Sequence, residues 1–261
     1  MAAPHIPSHK SRLRRVSAAF LVIAMVGVGS ACSPSAAPPP VLPTPSAGAP
    51  TPGPGAASPT GPSAVDSAAV LDAFRAFIQT EQSFHLTADA KLTIAGQSVE
   101  MDVAEDVSGG DEKGTVDIRG RRISVHFAVV IVDGKAYVKL VNRKWQSIDI
   151  DTSSSNPLGD LEVDGLKPID IVKVNGVTAH HFRADDPKAL DPDTITGNAV
   201  TSLKLKSAVF DIYVDADGKP LTAILTFSGR GKFQGKSSPI EATIRYDFSR
   251  FGVPVEIEPP I

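Results

Sequence analysis

From His85 onward the chain alternates apolar and polar residues with a period of two, almost to its end. Leu86, Ala88, Ala90, Leu92 and Ile94 fall on one side of a run whose other side is His85, Thr87, Asp89, Lys91 and Thr93. Ile240, Ala242, Ile244, Tyr246 and Phe248 stand in the same way against Glu241, Thr243, Arg245 and Asp247. Successive side chains of a strand point to opposite faces, so the pattern fits strands with one dry face and one wet face. Shorter runs of the same kind lie between: Val99, Met101 and Val103; Val116 and Ile118; Ile123 to Ile131; Ala136, Val138 and Leu140; Trp145 to Ile150. Further on come Ile169–Val174, Val177–Arg183, then Ala208, Phe210, Ile212 and Val214, and Leu221, Ala223, Leu225 and Phe227. Ala95-Gly96, Asp133-Gly134, Asn175-Gly176 and Asp217-Gly218 separate neighbouring runs, and such pairs tolerate the positive φ of tight hairpins. Nine to eleven antiparallel strands follow.

One segment has the other period. Across residues 66–82, Val70, Phe74, Phe77, Ile78 and Glu81 recur at helical spacing, with Asp66 or Ser63 placed to cap the start. Residues 185–202 break the strand pattern, and Pro187 and Pro192 there suit the start of short helical turns. A single sheet of this many strands tends to curl. The expected fold is α+β: one curved antiparallel sheet, a half-barrel, with the helix packed on its concave face.

The chain ahead of the helix divides in two. Residues 1–15 carry Lys10, Arg12, Arg14 and Arg15 and no acid, and residues 16–28 are uncharged and mostly apolar. That apolar run is too short to span a bilayer, which takes about 20 residues, and suits the core of a cleavable export signal. Gly29-Ser30-Ala31-Cys32 then resembles a bacterial lipobox, so residues 1–31 are expected to be removed and Cys32 to receive lipid. Residues 33–64 hold half of the chain's 22 prolines and no charge. Proline fixes φ and removes donors, so this stretch reads as a semi-extended tether. Residues 65–261 form the folded domain.

Composition narrows the function. The net charge is −3 and no basic block outlasts the signal, which argues against nucleic acid. The only cysteine is Cys32, so no internal disulfide forms and packing alone must hold the fold. His180 and His181 are adjacent on a strand and point to opposite faces, a poor metal chelate. Asp185, Asp186, Asp191 and Asp193 lack the spacing of a calcium loop, and Ser153-Ser154-Ser155 lacks a nucleophile elbow. No enzyme, cofactor or metal site is expected.

Three phrases carry a resemblance: VDGKAYVK at 132–139 with Trp145 close behind, FDIYVDADGKPLTAI at 210–224, and YDFSRFGVPVEIEPP at 246–260. Following a lipobox, a tether and one helix, they are similar to the mycobacterial lipoproteins of the LppX, LprA, LprF and LprG kind, which share the half-barrel of the LolA and LolB carriers. The resemblance spans nearly all of residues 65–260. It implies an apolar cavity for the acyl chains of lipids or lipoglycans, and carriage of them between membranes of the cell envelope. The lipid on Cys32 is expected to hold the protein, a monomer, on the outer side of the cytoplasmic membrane, with a membrane lipid exporter as a candidate partner. The resemblance supplies no catalytic residues. The inward-facing set that would contact lipid is Phe74, Phe77, Leu86, Leu92, Ile94, Val99, Met101, Val103, Val116, Ile118, Phe210, Ile212, Leu225, Phe227 and Ile244. The alternative is a structural or partner-binding envelope lipoprotein in which these residues fill a closed core.

Overall fold

A computed structural model describes residues 66–121, 123–149, 165–186, 200–233 and 235–260. The export signal, Cys32, the tether, Ser153–Ser155, Pro187, Asp191, Pro192 and Asp193 lie outside the described residues. Among the described residues the helix is α1 (Ser67–Thr80), and eleven strands follow: β1 (Ser83–Ile94), β2 (Gln97–Ser108), β3 (Asp111–Gly120), β4 (Ile123–Val132), β5 (Lys135–Leu140), β6 (Gln146–Asp149), β7 (Lys167–Val174), β8 (Val177–Ala184), β9 (Thr201–Val214), β10 (Pro220–Phe233) and β11 (Lys236–Ser249). They form one antiparallel sheet in the order β6-β5-β4-β3-β2-β1-β11-β10-β9-β8-β7. The sheet is curved and open: β6 and β7, successive in the chain, are its two edges.

The hairpins form where the turn pairs sit. Asp133-Gly134 and Asn175-Gly176 both take positive φ at each position, as a two-residue turn between right-twisted strands requires. β1 pairs β2 from Ser83↔Ser108 to Ile94↔Gln97 without a break, and pairs β11 on its other side from His85↔Ser249 to Ile94↔Ile240. This register puts Leu86, Ala88, Leu92 and Ile94 on the same face as Ile244, Ala242 and Ile240, which one slipped residue would reverse.

α1 lies on that apolar face. Asp66 is its cap, the side chain accepting from the backbone N–H of Ala68 at 3.0 Å. Val70, Leu71, Phe74 and Ile78 are buried against Phe84, Phe182, Phe210, Ile212, Leu225 and Ile244. The helix is fixed along its length. Ser67 Oγ and His180 Nδ1 share a hydrogen bond of 3.2 Å at its start. In the middle, the β9–β10 turn presses so close that a Cβ on Gly218, whose φ is +85°, would stand 2.6 Å from the Ala73 backbone carbon. At its end the Phe77 ring meets the edge of Phe251, with centroids 5.0 Å apart.

Some details depart from the sequence expectation. Leu71, absent from the expected helix face, is buried, whereas Glu81 caps the C-terminus and its carboxylate accepts from the N–H groups of Gln82 and Ser83. Leu140, in register with the inner row, is 44% exposed because it ends β5. β9 begins at Thr201, inside the stretch expected to be irregular, and Ser202 takes positive φ within it. A register shift near Pro220 puts Leu221 outside the regular alternation of β10, so Ala223 is the first fully buried member of its row.

Candidate functional site

The apolar face divides into unequal parts. Around α1 the helix side chains and the inner residues of β1 and β8–β11 make one large cluster, joined from β2 by Val107. Of the expected lipid-contact set, Phe74, Phe77, Leu86, Leu92, Ile94, Phe210, Ile212, Leu225, Phe227 and Ile244 belong to it. Val99, Met101, Val103, Val116 and Ile118 belong instead to a second cluster with Ala88 and Phe127 on β1–β4. A third, smaller group is Val129, Ile131 and Ala136 on β4 and β5. Neither of these two contains a residue of α1, so the helix covers only part of the dry face. Tyr246 touches both larger clusters from β11, and burial raises its phenol above the ordinary range.

Sequence reasoning missed two residues on this face. Continuing the β2 row inward gives Val99, Met101, Val103, Glu105 and Val107, and the β3 row gives Glu112, Gly114, Val116 and Ile118. Glu105 is 2% exposed and Glu112 is 4% exposed. Register pairs Glu105 with Gly114 and Val107 with Glu112, so the two carboxyls are diagonal neighbours across β2–β3, within reach of one another. Diagonal register places them so that one carboxyl, when protonated, can donate to the other. Glu105 Oε1 and Glu112 Oε2 have no partner and no contact with solvent. Removal from water, and next the charge of Glu112, push the Glu105 carboxyl well above the usual carboxylate range. The signal was an acid inside an otherwise apolar period-two row.

That burial has a pH signature. A carboxyl whose folded pKa is raised adds stability below its unfolded value, and that stability is lost as pH rises through the folded value. Unfolding free energy should therefore decline upward from the ordinary glutamate value of 4.5, by at most about 1.4 kcal/mol per pH unit for this one proton. In Glu105→Gln the decline should flatten. Urea unfolding at several pH values measures it, and parallel profiles for the two proteins would refute the account.

The opposite face is polar and tied down by ion pairs. His181 Nδ1 meets Asp170 Oδ1 at 3.0 Å and its Nε2 meets Asp211 Oδ1 at 2.7 Å. Arg183 Nε donates to the same Asp211 oxygen at 2.7 Å, and Tyr213 stacks on the His181 ring with centroids 4.5 Å apart. Burial works to raise the Asp211 carboxyl, but Arg183 and His181 outweigh it and hold it below its ordinary range. A groove of about 490 Å³ runs here, lined by Asp170, Lys173, Asn175, Tyr213, Ile224 and Arg245 among others. His180, one residue from His181, faces the helix instead, as strand alternation demands. Among the described residues no group of three His, Cys, Asp or Glu side chains is placed to hold a metal ion. No helix among them is long and apolar enough to cross a membrane.

The architecture is thus an open antiparallel half-barrel with one helix on its apolar face, the fold class expected from the sequence. Solved structures similar to it include LprF from Mycobacterium bovis, at 13% identity over 74% of this chain and 95% of that one, with a TM-score of 0.45. A LolA superfamily protein from Nitrosomonas europaea is similar over 75% of this chain and 96% of that one, at 10% identity and a TM-score of 0.26. MucB, in the complex of Pseudomonas aeruginosa MucA and MucB, is similar over 73% of this chain but 59% of that one, at 14% identity and a TM-score of 0.31. No family model matches the chain, and no curated protein matches it.

Proposed function

We propose that this protein is an envelope lipoprotein that takes acyl chains of lipids or lipoglycans against the apolar face of its half-barrel and carries them between membranes. It acts by binding, without chemistry. The observation that carries the reading is the mismatch between helix and sheet: apolar clusters extend across β1–β5 and β8–β11, with α1 packed on only one of them. Apolar surface on that scale has a task to match. Each methylene moved into water costs about 0.8 kcal/mol, so a chain of about sixteen carbons costs on the order of 12 kcal/mol. A few surface contacts could not offset that, whereas a dry curved sheet can.

Val99, Met101, Val103, Val116 and Ile118, beyond the helix, are the first candidates for chain contact. Leu86, Ile212, Leu225 and Ile244 beneath the helix serve as the frame that holds the sheet's curvature. Cys32 supplies the membrane anchor, and residues 33–64 set the reach of the domain from it.

Purification of the unacylated domain without added lipid, followed by organic extraction and mass spectrometry, tests the proposal. Copurifying acyl lipid at a substantial fraction of one per protein is the expected result. Lipid-free protein that also fails to bind a fluorescent fatty-acyl probe would overturn it.

A further inference from the structure

The buried pair Glu105 and Glu112 is hard to explain as a stabilising feature. A buried carboxyl without a full set of partners costs stability, and an apolar residue in its place would be neutral or better. The neighbours on the same face offer nothing in return. Phe84 and Leu86 flank the pair from β1, and Val129 and Ile131 flank it from β4. No cationic or other titratable side chain faces it from either strand, and Asp106 lies on the opposite side of β2. Gly114, in register with Glu105, adds no side chain to the face. Even with one carboxyl protonated and donating to the other, two oxygens, Glu105 Oε1 and Glu112 Oε2, remain as acceptors shut away from water. What is missing is a donor carrying positive charge.

Resting on the carrier reading above, we propose that Glu105 and Glu112 form a headgroup anchor inside the apolar face, selective for amphiphiles that bear an ammonium group. The ammonium has three donors and the charge that the pair lacks. A charge-assisted hydrogen bond in a low-dielectric site is about twice as strong as a neutral one. A neutral hydroxyl brings the donor without the charge, and a fatty carboxylate brings the wrong charge. The tail of such a ligand would run along Val103 and Val116 in the adjoining row. The ammonium gains most from a Glu105 carboxyl that has lost its proton, which its raised range defers to higher pH.

The test compares octadecylamine, octadecanol and stearate, matched in tail, on the full chain carrying Cys32→Ala to leave it unacylated. With Glu105 and Glu112 intact, the amine should bind at least about tenfold tighter than the alcohol, the scale of one charge-assisted contact. Glu105→Gln together with Glu112→Gln should keep the alcohol affinity and abolish the preference. An amine no tighter than the alcohol, or a preference that survives in the double variant, overturns the anchor while leaving the carrier intact. If none of the three amphiphiles binds, the carrier reading fails and the anchor with it. Should the double variant not fold, the unsubstituted pair decides alone. The ratio of amine to alcohol affinity must rise with pH while the amine stays protonated, and a constant ratio overturns the proposal.

Discussion

Phe74→Ala should lower the unfolding free energy by about 3–5 kcal/mol, the usual cost of emptying a large aromatic site in a core. Phe74 is 0% exposed at the centre of α1 and is buried among residues of the sheet's largest cluster. The helix cannot slide to close the hole. Its start is tied to His180, its middle is pressed by the Gly218 turn, and its end is held by Phe251. Where the surroundings cannot collapse, the cavity term is felt in full. Total stability of a domain is about 5–15 kcal/mol, so this one substitution should move the urea midpoint far, and a change below about 1 kcal/mol would show that α1 is a loosely held lid. Phe127→Ala makes a useful contrast. Phe127 is equally buried but sits in the cluster without helix residues. If acyl chain lies there, bound lipid should recover part of the loss in Phe127→Ala and none of it in Phe74→Ala.

Cys32→Ala should move the protein from the membrane fraction to the soluble fraction while leaving acyl-probe affinity within about twofold, since binding energy resides in buried apolar area on the folded domain alone. One acyl chain gives marginal, reversible attachment, and two or more give stable attachment. If Cys32 carries a diacylglyceryl group as proposed, that group decides location almost completely. Fractionation of envelopes with parallel binding assays on the released protein checks both halves. Loss of probe affinity in the released protein would show that anchor and container are not separate parts.

Much of this architecture is legible in the residues because strands with one wet face write their register directly into the chain. His85–Ile94 and Ile240–Phe248 read as clean two-residue repeats, and they pair with each other through Ala90↔Ile244 and Leu92↔Ala242. Phe74 and Val70 are placed correctly by helical spacing for the same reason. What pattern alone does not tell is which strands become neighbours. Nothing in the β11 repeat says that it closes on β1 rather than only on β10, since that choice depends on contacts far apart in sequence. Helix coverage is hidden too: Phe210 and Val116 look alike as inward residues, yet only Phe210 lies in the cluster that α1 covers. Glu105 and Glu112 were readable as interruptions in apolar rows. A rule that assigns acids to wet faces passes over them, because it prices a carboxyl by type and not by register.

The strand order leaves β6 and β7 unpaired with each other at opposite ends of one continuous ladder. A closed barrel has a fixed girth, set by strand number and stagger, and can widen for a guest larger than its lumen only by breaking hydrogen bonds. An open sheet is mechanically softer. Neighbouring strands differ in twist over a wide range, so small changes spread over ten interfaces can alter the curvature with every rung intact. On the carrier reading proposed above, the seam would act as an expansion joint, letting one backbone grip cargoes of different thickness at little cost in free energy.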